Sequence, residues 1–287
     1  MIQAYQIYGV ENAKVLYIVE DEAWNLHDQR YSEVFLANKG VLSLRKTFEQ
    51  LLLEATFDDK GRFFVDGDEI CLVYFRWGYS PNHYYNEKIW ELRENIELSK
   101  AIKCPNIKLI LVNFKKIQLE LQKQQVMDKF LEDQNQQKQI NHQFAKILEL
   151  PEEEQEYQNL ISDLEINFHK WVLKPNREGG GNNLYGTEII QKLKEINKND
   201  KKDYILMEKI SQRPRIGHML THEDLKVCGA VSELSTWGAF ISESKNNIDY
   251  NIQGGYLNRT KNFLSNEGGL AVGMSVLDGL LIKKDEE

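Results

Sequence analysis

Apolar and polar positions along this chain recur in blocks whose period switches between two and nearly four. Residues 13–19 (AKVLYIV) are an apolar run rich in β-branched and aromatic side chains, which predicts a buried strand. A polar loop over 20–29 follows, with Asp28 positioned to cap a helix running to about residue 38. Gly40 stands where a glycine is expected just past a helix. The pattern then predicts a strand over 41–44 and a short helix over 48–53. Residues 63–70 (FFVDGDEI) hold Asp66-Gly67 between apolar runs, the signal of a two-residue hairpin turn. The returning strand, 70–75, delivers Arg76, Trp77, Gly78 and Tyr79 to its C-terminal end. Behind the capping residue Asn86, Ile89, Trp90 and Ile96 fall at helical spacing over 87–100.

The second half is less regular. A helical pattern runs over 108–143 through a Gln/Asn-rich stretch, where Val126, Phe130, Leu131 and Ile140, with Phe144 just after, indicate ordinary surface helices. Residues 151–156 (PEEEQE) read as an acidic, solvated connection. A strand beginning after 167 enters a glycine-rich loop, and a helix with Ile189, Ile190, Leu193 and Ile196 on one side follows. Residues 198–203 form a charged turn and 204–210 (YILMEKI) a strand. A hairpin is predicted over 227–243 with its turn near Ser235 and Gly238. Strand–helix alternation over roughly the first 110 residues indicates a layered α/β domain. Ligands in such sheets bind at the carboxyl ends of the strands, which is where Asn25, Gln29, Arg76 and Tyr79 fall.

Composition narrows the function. A net charge of −8 argues against a nucleic-acid binder, which needs clustered Lys and Arg. No apolar run approaches the roughly 18 residues of a membrane helix. The N-terminal residues lack the charged and apolar regions of a signal peptide. Cys71, Cys104 and Cys228 are too scattered for a zinc site or a disulfide framework, and a reducing, cytoplasmic setting is expected. His218 and His222 have the spacing of two ligands on one helical face, but Gly217 and Thr221 read as loop. His27, His83, His142 and His169 read as isolated polar residues.

The chemistry concentrates in Lys174-Pro175-Asn176-Arg177-Glu178-Gly179-Gly180-Gly181-Asn182-Asn183-Leu184-Tyr185-Gly186. Successive glycines let a backbone approach a ligand and turn its N–H groups inward, which suits phosphate oxygens. Lys174 and Arg177 add positive charge, and Glu178 offers the hard oxygen that a divalent ion prefers. Taken alone, such a triplet describes a surface loop. The lysine precedes the glycines, so this is not the Walker arrangement. Glu233, on an otherwise apolar strand, needs a partner, either a structural cation or a ligand. No elbow or cysteine-protease signature of a covalent nucleophile is present.

The loop Lys-Pro-x-Arg-Glu-Gly-Gly-Gly-Asn-Asn-x-Tyr-Gly resembles the glycine-rich nucleotide loop of eukaryotic glutathione synthetases, which are ATP-grasp ligases. Further stretches resemble the family's motifs in order. They include Asn25-x-x-Asp28-Gln29-Arg30, Val65-Asp66-Gly67, Val73-Tyr74-Phe75-Arg76-x-Gly78-Tyr79, Lys103-Cys104-Pro105 and Lys115-Lys116-x-Gln118. After the loop come Ile205-Leu206-Met207-Glu208-Lys209-Ile210, Ser232-Glu233-Leu234, Arg259-Thr260-Lys261 and Gly268-Gly269-x-Ala271-x-Gly273.

The resemblance implies a layered α/β substrate-binding domain over 1–110, followed over 111–287 by the C-terminal part of an ATP-grasp domain with its lid. It implies that Lys115, Lys174, Arg177, Glu178, Gly179, Gly180, Gly181, Asn182 and Asn183 hold the phosphates of ATP, with Tyr185 beside them. Met207, Glu208, Lys209 and Ile210 would line the adenine pocket. Glu233, Lys261 and Glu267 would complete the nucleotide site, the last two at the closing loop. Asn25, Gln29, Arg76, Trp77, Gly78, Tyr79, Arg259, Leu270 and Ala271 would face γ-glutamylcysteine, and Glu178 would ligate Mg²⁺. Arg259 and Lys174 are the expected catalytic cations.

The implied reaction joins γ-glutamylcysteine to glycine. Family members are longer, and their N-terminal region supplies a Glu-x-Asn pair of Mg²⁺ ligands, a substrate-binding arginine and a serine-containing loop. No copy of it is found in this sequence. The chain is therefore expected to form a homodimer or to associate with a chain supplying that region. Trp77, Ser235-Thr236-Trp237 and Glu267 depart from the family pattern.

Overall fold

The computed structural model of the chain describes residues 1–23, 25–176, 182–220, 224–244, 247–266, 268–270 and 274–280. Residues Met1–Pro105 and Gln212–Glu287 form one compact unit and Asn106–Ser211 another.

The N-terminal part of the first unit runs α1 (Ile2–Tyr8), β1 (Lys14–Ile18), α2 (Leu26–Ala37), β2 (Ser43–Lys46) and α3 (Phe48–Glu54). It continues through β3 (Ala55–Phe57), β4 (Phe63–Val65), β5 (Asp68–Phe75), α4 (Glu87–Leu98) and β6 (Ile102–Cys104). β1 pairs in parallel with β2 on one side and β5 on the other, and β6 pairs in parallel with β5. The β3–β4 hairpin extends the sheet through the start of β5. Val15, Leu16, Tyr17 and Ile18 are all fully buried, because helices cover both faces. Leu16, Ile18, Val73 and Phe75 pack with Phe48 and Leu51 of α3 and Ile89 and Ile96 of α4. Val15, Tyr17 and Cys71 pack on the other side with Ala4 of α1 and Leu36 of α2. This is the α/β layering expected from the sequence.

Local signals explain most boundaries here. Asp66 and Gly67 take φ values of 51° and 82°, the paired left-handed turn the hairpin requires. Thr47 and Gln50 close a capping box on α3, and Asn86 accepts the Ile89 N–H at 3.1 Å at the start of α4. Asp28, in contrast, does not cap α2. The helix starts at Leu26 behind Asn25, which leaves Asp28 in its first turn, where a carboxylate still meets the positive end of the helix dipole. α1 gave no periodic signal because its seven residues bury only Ala4.

The second unit begins with four short helices, α5 (Ile107–Val112), α6 (Lys115–Gln122), α7 (Gln124–Met127) and α8 (Gln134–Gln143). Then come β7 (Ile147–Glu149), α9 (Glu154–Asn167), β8 (Trp171–Pro175), β9 (Leu184–Tyr185), α10 (Thr187–Glu195) and β10 (Tyr204–Glu208). The strands form an antiparallel sheet in the order β7-β10-β8-β9. The acidic stretch 151–156 is more than a connection. Glu153 caps α9 by accepting the Glu156 N–H at 2.7 Å, and Glu154 and Glu156 occupy the first turn. Leu173 and Leu206 point toward α9 and α10, packing with Leu164, Ile189 and Leu193. Ile205 and Met207 point the other way and meet Leu119 of α6.

The C-terminal part of the first unit is an antiparallel sheet of β11 (Arg215–Leu220), β12 (Leu225–Ser244), β13 (Asn247–Asn262) and β14 (Ser275–Asp278), in that order. The turn expected near Ser235 and Gly238 is absent. β12 runs straight through, and its register slips between Trp237 and Gly238 instead. A Cβ on Gly238 would lie 3.2 Å from the Ile252 carbonyl oxygen, so this glycine serves a bulge and a close strand approach, not a reversal. Near the far end of β12, Ile241 packs on the Tyr17 cluster of the same unit.

Candidate functional site

In the second unit, strand register settles which side chains share a face. Lys174 lies opposite Ile205, while Val172 lies opposite Met207 on one side and Tyr185 on the other. Opposed residues project to the same side of a sheet. Met207, Val172 and Tyr185 therefore form a row, with Lys174 one step along it, on the face away from α9 and α10. The result is a thioether, an aliphatic and an aromatic floor ending in a cation. α6 borders this face through Leu119, and its first residue is Lys115. The Lys116 N–H donates to Asn176 Oδ1 at 3.3 Å, tying the start of α6 to the residue that follows β8. Lys115 Nζ donates to Gln118 Oε1 at 3.1 Å.

Asn183 Nδ2 donates to the Tyr185 hydroxyl at 3.3 Å, and Lys209 Nζ lies 5.8 Å from the Tyr185 ring centroid. The Lys209 N–H donates to the Lys170 carbonyl at 2.7 Å, which anchors the chain as it leaves β10. Glu208 pairs with Trp171 and projects to the opposite face from Met207, and Ile210 is exposed. Asn182 is half-buried beside Asn183. Arg177, Glu178, Gly179, Gly180 and Gly181 lie outside the described residues.

In the first unit, Glu233 faces Arg259 across β12 and β13. Arg259 donates to Glu233 Oε2 through Nε and Nη2, both at 2.6 Å, and Lys261 Nζ lies 3.4 Å from Oε1. Burial pushes the Glu233 pKa up, but the hydrogen bonds and charge of Arg259, with the charge of Lys261, outweigh it and hold the carboxyl below its usual range. Gly268 lies directly on this pair. A Cβ there would be 3.2 Å from Lys261 Cδ and 3.7 Å from both Glu233 carboxylate oxygens. Ser275 Oγ donates to the Gly268 carbonyl at 2.9 Å, pinning the loop to β14. Leu270 is half-buried at the end of that loop. Glu267 and Ala271 lie outside the described residues.

The carboxyl ends of β1 and β5 carry a third group, also in the first unit. Gln29 is 3% exposed and bridges two neighbours: Nε2 donates to Asn25 Oδ1 at 2.8 Å, and Oε1 accepts from Arg45 Nη2 at 2.9 Å. Arg45 in turn pairs with the buried Glu33 at 2.5 Å. A cleft of about 550 Å³ opens beside this chain, with Glu20, Asp21, Glu22, Arg45, Thr47 and Gln50 among its walls. Arg76 donates to Asp28 Oδ2 at 3.0 Å and to the Tyr74 hydroxyl at 3.2 Å.

The Arg76 and Trp77 N–H groups both donate to the Ile18 carbonyl, at 2.9 and 3.0 Å. Gly78, at φ 88°, is held by its own peptide: its N–H donates to His83 Nδ1 at 3.0 Å and its carbonyl accepts from the Tyr84 hydroxyl at 2.7 Å. Arg93 Nη1 donates to that hydroxyl at 3.0 Å, pairs with Glu97 at 2.6 Å and stacks 3.7 Å over Phe75. Sequence reasoning missed Arg45, Glu33, His83 and Tyr84, because each acts through tertiary contacts that no spacing reveals. His83 is not an isolated polar residue: its ring stacks on Trp77 at 3.5 Å and meets Tyr79 edge-on at 4.7 Å.

The pattern of the family described as eukaryotic glutathione synthase, ATP binding domain, matches residues 1–282. The chain belongs to this glutathione synthase family. It is 37% identical to the glutathione synthetase of Xenopus laevis over 280 residues, covering 96% of this chain and 58% of that protein. The human glutathione synthetase is likewise 37% identical over 279 residues, and the chloroplastic one of Solanum lycopersicum 33% over 292. The chain thus spans 58% of the length of the human relative and 51% of the tomato one. In fold it is similar to a glutathione synthetase-like effector from Globodera pallida in its apo form. The TM-score is 0.69 at 19% identity, covering 96% of this chain and 58% of that one. Among the described residues of this synthase-family chain, no group of three or more His, Cys, Asp or Glu gathers as a metal site, and no helix is long and apolar enough to cross a membrane.

Proposed function

We propose that the chain carries the nucleotide and peptide-binding machinery of a glutathione synthetase, an ATP-dependent ligase that joins γ-glutamylcysteine to glycine. The observation that carries this reading is the face shared by Met207, Val172, Tyr185 and Lys174. A flat apolar floor ending in a cation suits an adenine with an anionic tail. In this reading Lys115, Lys174, Arg177, Asn182 and Asn183 bind the phosphates, with the amides of Gly179, Gly180 and Gly181. Met207, Glu208, Lys209 and Ile210 border the base, and Glu233, Lys261 and Glu267 complete the nucleotide contacts. Glu178 is the proposed ligand for Mg²⁺, which neutralises phosphate charge when bound with the nucleotide.

Residues 1–110 act as the substrate-binding part and 111–287 as the ATP-grasp part. Asn25, Gln29, Arg76, Trp77, Gly78, Tyr79, Arg259, Leu270 and Ala271 receive γ-glutamylcysteine. Its glycyl-accepting carboxylate attacks the γ-phosphorus of ATP, ADP leaves, and an acyl phosphate forms. The glycine amine then attacks the acyl carbon and inorganic phosphate leaves. Lys174 and Arg259 stabilise the charge that builds on phosphoryl and carboxyl oxygens, so positioning and charge neutralisation account for the rate without a covalent nucleophile.

The test is glutathione formation, followed by mass spectrometry, with the chain, ATP, Mg²⁺, γ-glutamylcysteine and glycine. Product that disappears in Glu178→Ala is expected. A second reading keeps the same face and makes the chain one half of a split synthetase. In it the chain binds nucleotide and turns over only with a partner chain. ATP binding without product, restored by adding such a chain, would select it.

A further inference from the structure

We propose that His83 is a pH-sensitive positioning residue that latches residues 76–79 in their ligand-binding conformation through the Gly78 N–H. The inference rests on the reading that these residues receive γ-glutamylcysteine. A backbone N–H can only donate, so His83 Nδ1, 3.0 Å from the Gly78 nitrogen, must present its lone pair. The ring is therefore the neutral tautomer with its proton on Nε2. A proton added at Nδ1 sets N–H against N–H and breaks the contact.

The surroundings make the latch consequential. Gly78 lies between Trp77, whose ring stacks on His83 within 3° of parallel, and Tyr79, whose ring meets His83 edge-on. Moving the imidazole therefore moves both neighbours as well as the Gly78 peptide. The space at Gly78 is tight, because Phe48 Cζ and the Tyr84 hydroxyl both lie 2.8 Å from where a Cβ would be. Burial holds the His83 pKa below the usual histidine value. Of the charged groups on the elements around it, Arg76 pairs with Asp28, Arg93 with Glu97 and Glu49 with Tyr85, while Glu87 and Lys88 open α4 four and five residues on. Tyr84, its neighbour, is bound to Arg93 and Gly78. Protonation thus brings a new cation between the Trp77 and Tyr79 rings.

The substrate itself is silent over the relevant range. Its carboxyls titrate well below about pH 5 and its thiol and amine above about pH 7.5. The experiment follows the Gly78 amide and the His83 imidazole by NMR in the full chain between about pH 7.5 and 5.5. Calorimetry measures γ-glutamylcysteine binding at both ends of that range. The variants are His83→Asn, whose amide oxygen can replace Nδ1 but does not titrate, and His83→Phe, which keeps the stacked ring without an acceptor.

The Gly78 amide is expected to shift together with His83 protonation, and wild-type affinity to fall roughly fivefold or more at the lower pH. His83→Asn is expected to bind independently of pH, and His83→Phe to bind weakly at both. Any contribution from His27, on the first turn of α2, is common to wild type and variants. A Gly78 amide that ignores His83 protonation overturns the latch, as do parallel losses in wild type and His83→Asn. If γ-glutamylcysteine binds at neither pH, the substrate reading fails, and the Gly78 titration alone then decides the latch.

Discussion

Glu233 and Arg259 stand directly opposite on β12 and β13, joined by two contacts of 2.6 Å to one carboxylate oxygen, while Lys261 approaches the other oxygen at 3.4 Å. Two cations on one carboxylate leave a net positive pair beneath the loop at Gly268. The depressed Glu233 pKa makes the cluster a source of pH-dependent stability. A carboxyl lowered in the folded state contributes fully above its ordinary value near 4.3, and the contribution is lost as pH falls through the folded value. Acid unfolding below about pH 5 is therefore expected to lose part of its pH dependence in Glu233→Gln. Thermal melts of both proteins across that range would check it, and identical slopes would refute it.

Gly78 offers a sharper stability test. Its φ of 88° disfavours any Cβ, and that Cβ would also lie 2.8 Å from Phe48 Cζ and the Tyr84 hydroxyl. Both atoms are buried and well held. Gly67 has a similar φ of 82° but open space around its Cβ position. Gly67→Ala should cost about 1 kcal/mol from the backbone alone, and Gly78→Ala about 3 kcal/mol or more from strain plus overpacking. Urea titration of the two variants separates the terms. Equal midpoints would show that the loop relaxes around the added methyl.

What could be read in advance followed from local rules. β1 was legible as AKVLYIV because both its faces are buried, and the Asp66-Gly67 turn because only left-handed conformations close that hairpin. The course of β12 past Ser235 was not legible. Gly238 looks the same in sequence whether it makes a turn or a bulge, and the choice depends on the approach of Ile252 from another strand. The site divides in the same way. Glu233 announced itself as a carboxylate needing a partner, yet its partner came from β13, 26 residues on. The Gln29–Arg45 contact and the His83 latch depend wholly on tertiary packing.

Lys174 tests the nucleotide face. Its side chain shares the side of Ile205, not the packed side of Leu173, so its removal leaves the α9–α10 core intact. Lys174→Ala is expected to weaken ATP binding roughly tenfold or more, the loss of one charge-assisted contact to phosphate, with little change in melting temperature. Met207→Ala, which also removes packing against Leu119 and Ile205, should lower both affinity and stability. Fluorescence binding with a labelled adenine nucleotide, read beside thermal melts, distinguishes the two patterns. Unchanged affinity in both variants would remove this face from the nucleotide site.

Arg45 tests the substrate side. It holds Gln29 Oε1 at 2.9 Å, and Gln29 Nε2 in turn occupies Asn25 Oδ1 at 2.8 Å. With its oxygen taken, Asn25 is left to offer amide donors to a ligand, a fixed polarity that suits a carboxylate. Arg45→Met removes the fixed end of this relay. It also leaves Glu33, 7% exposed, with Arg30 at 2.7 Å as its remaining cation, a loss of about 1–3 kcal/mol in stability. The double variant Arg45→Met/Glu33→Gln removes the stranded charge and should recover most of that stability. Affinity for γ-glutamylcysteine should stay low in both, because neither restores the hold on Gln29. Recovery of affinity together with stability in the double variant would show that Arg45 serves the fold alone.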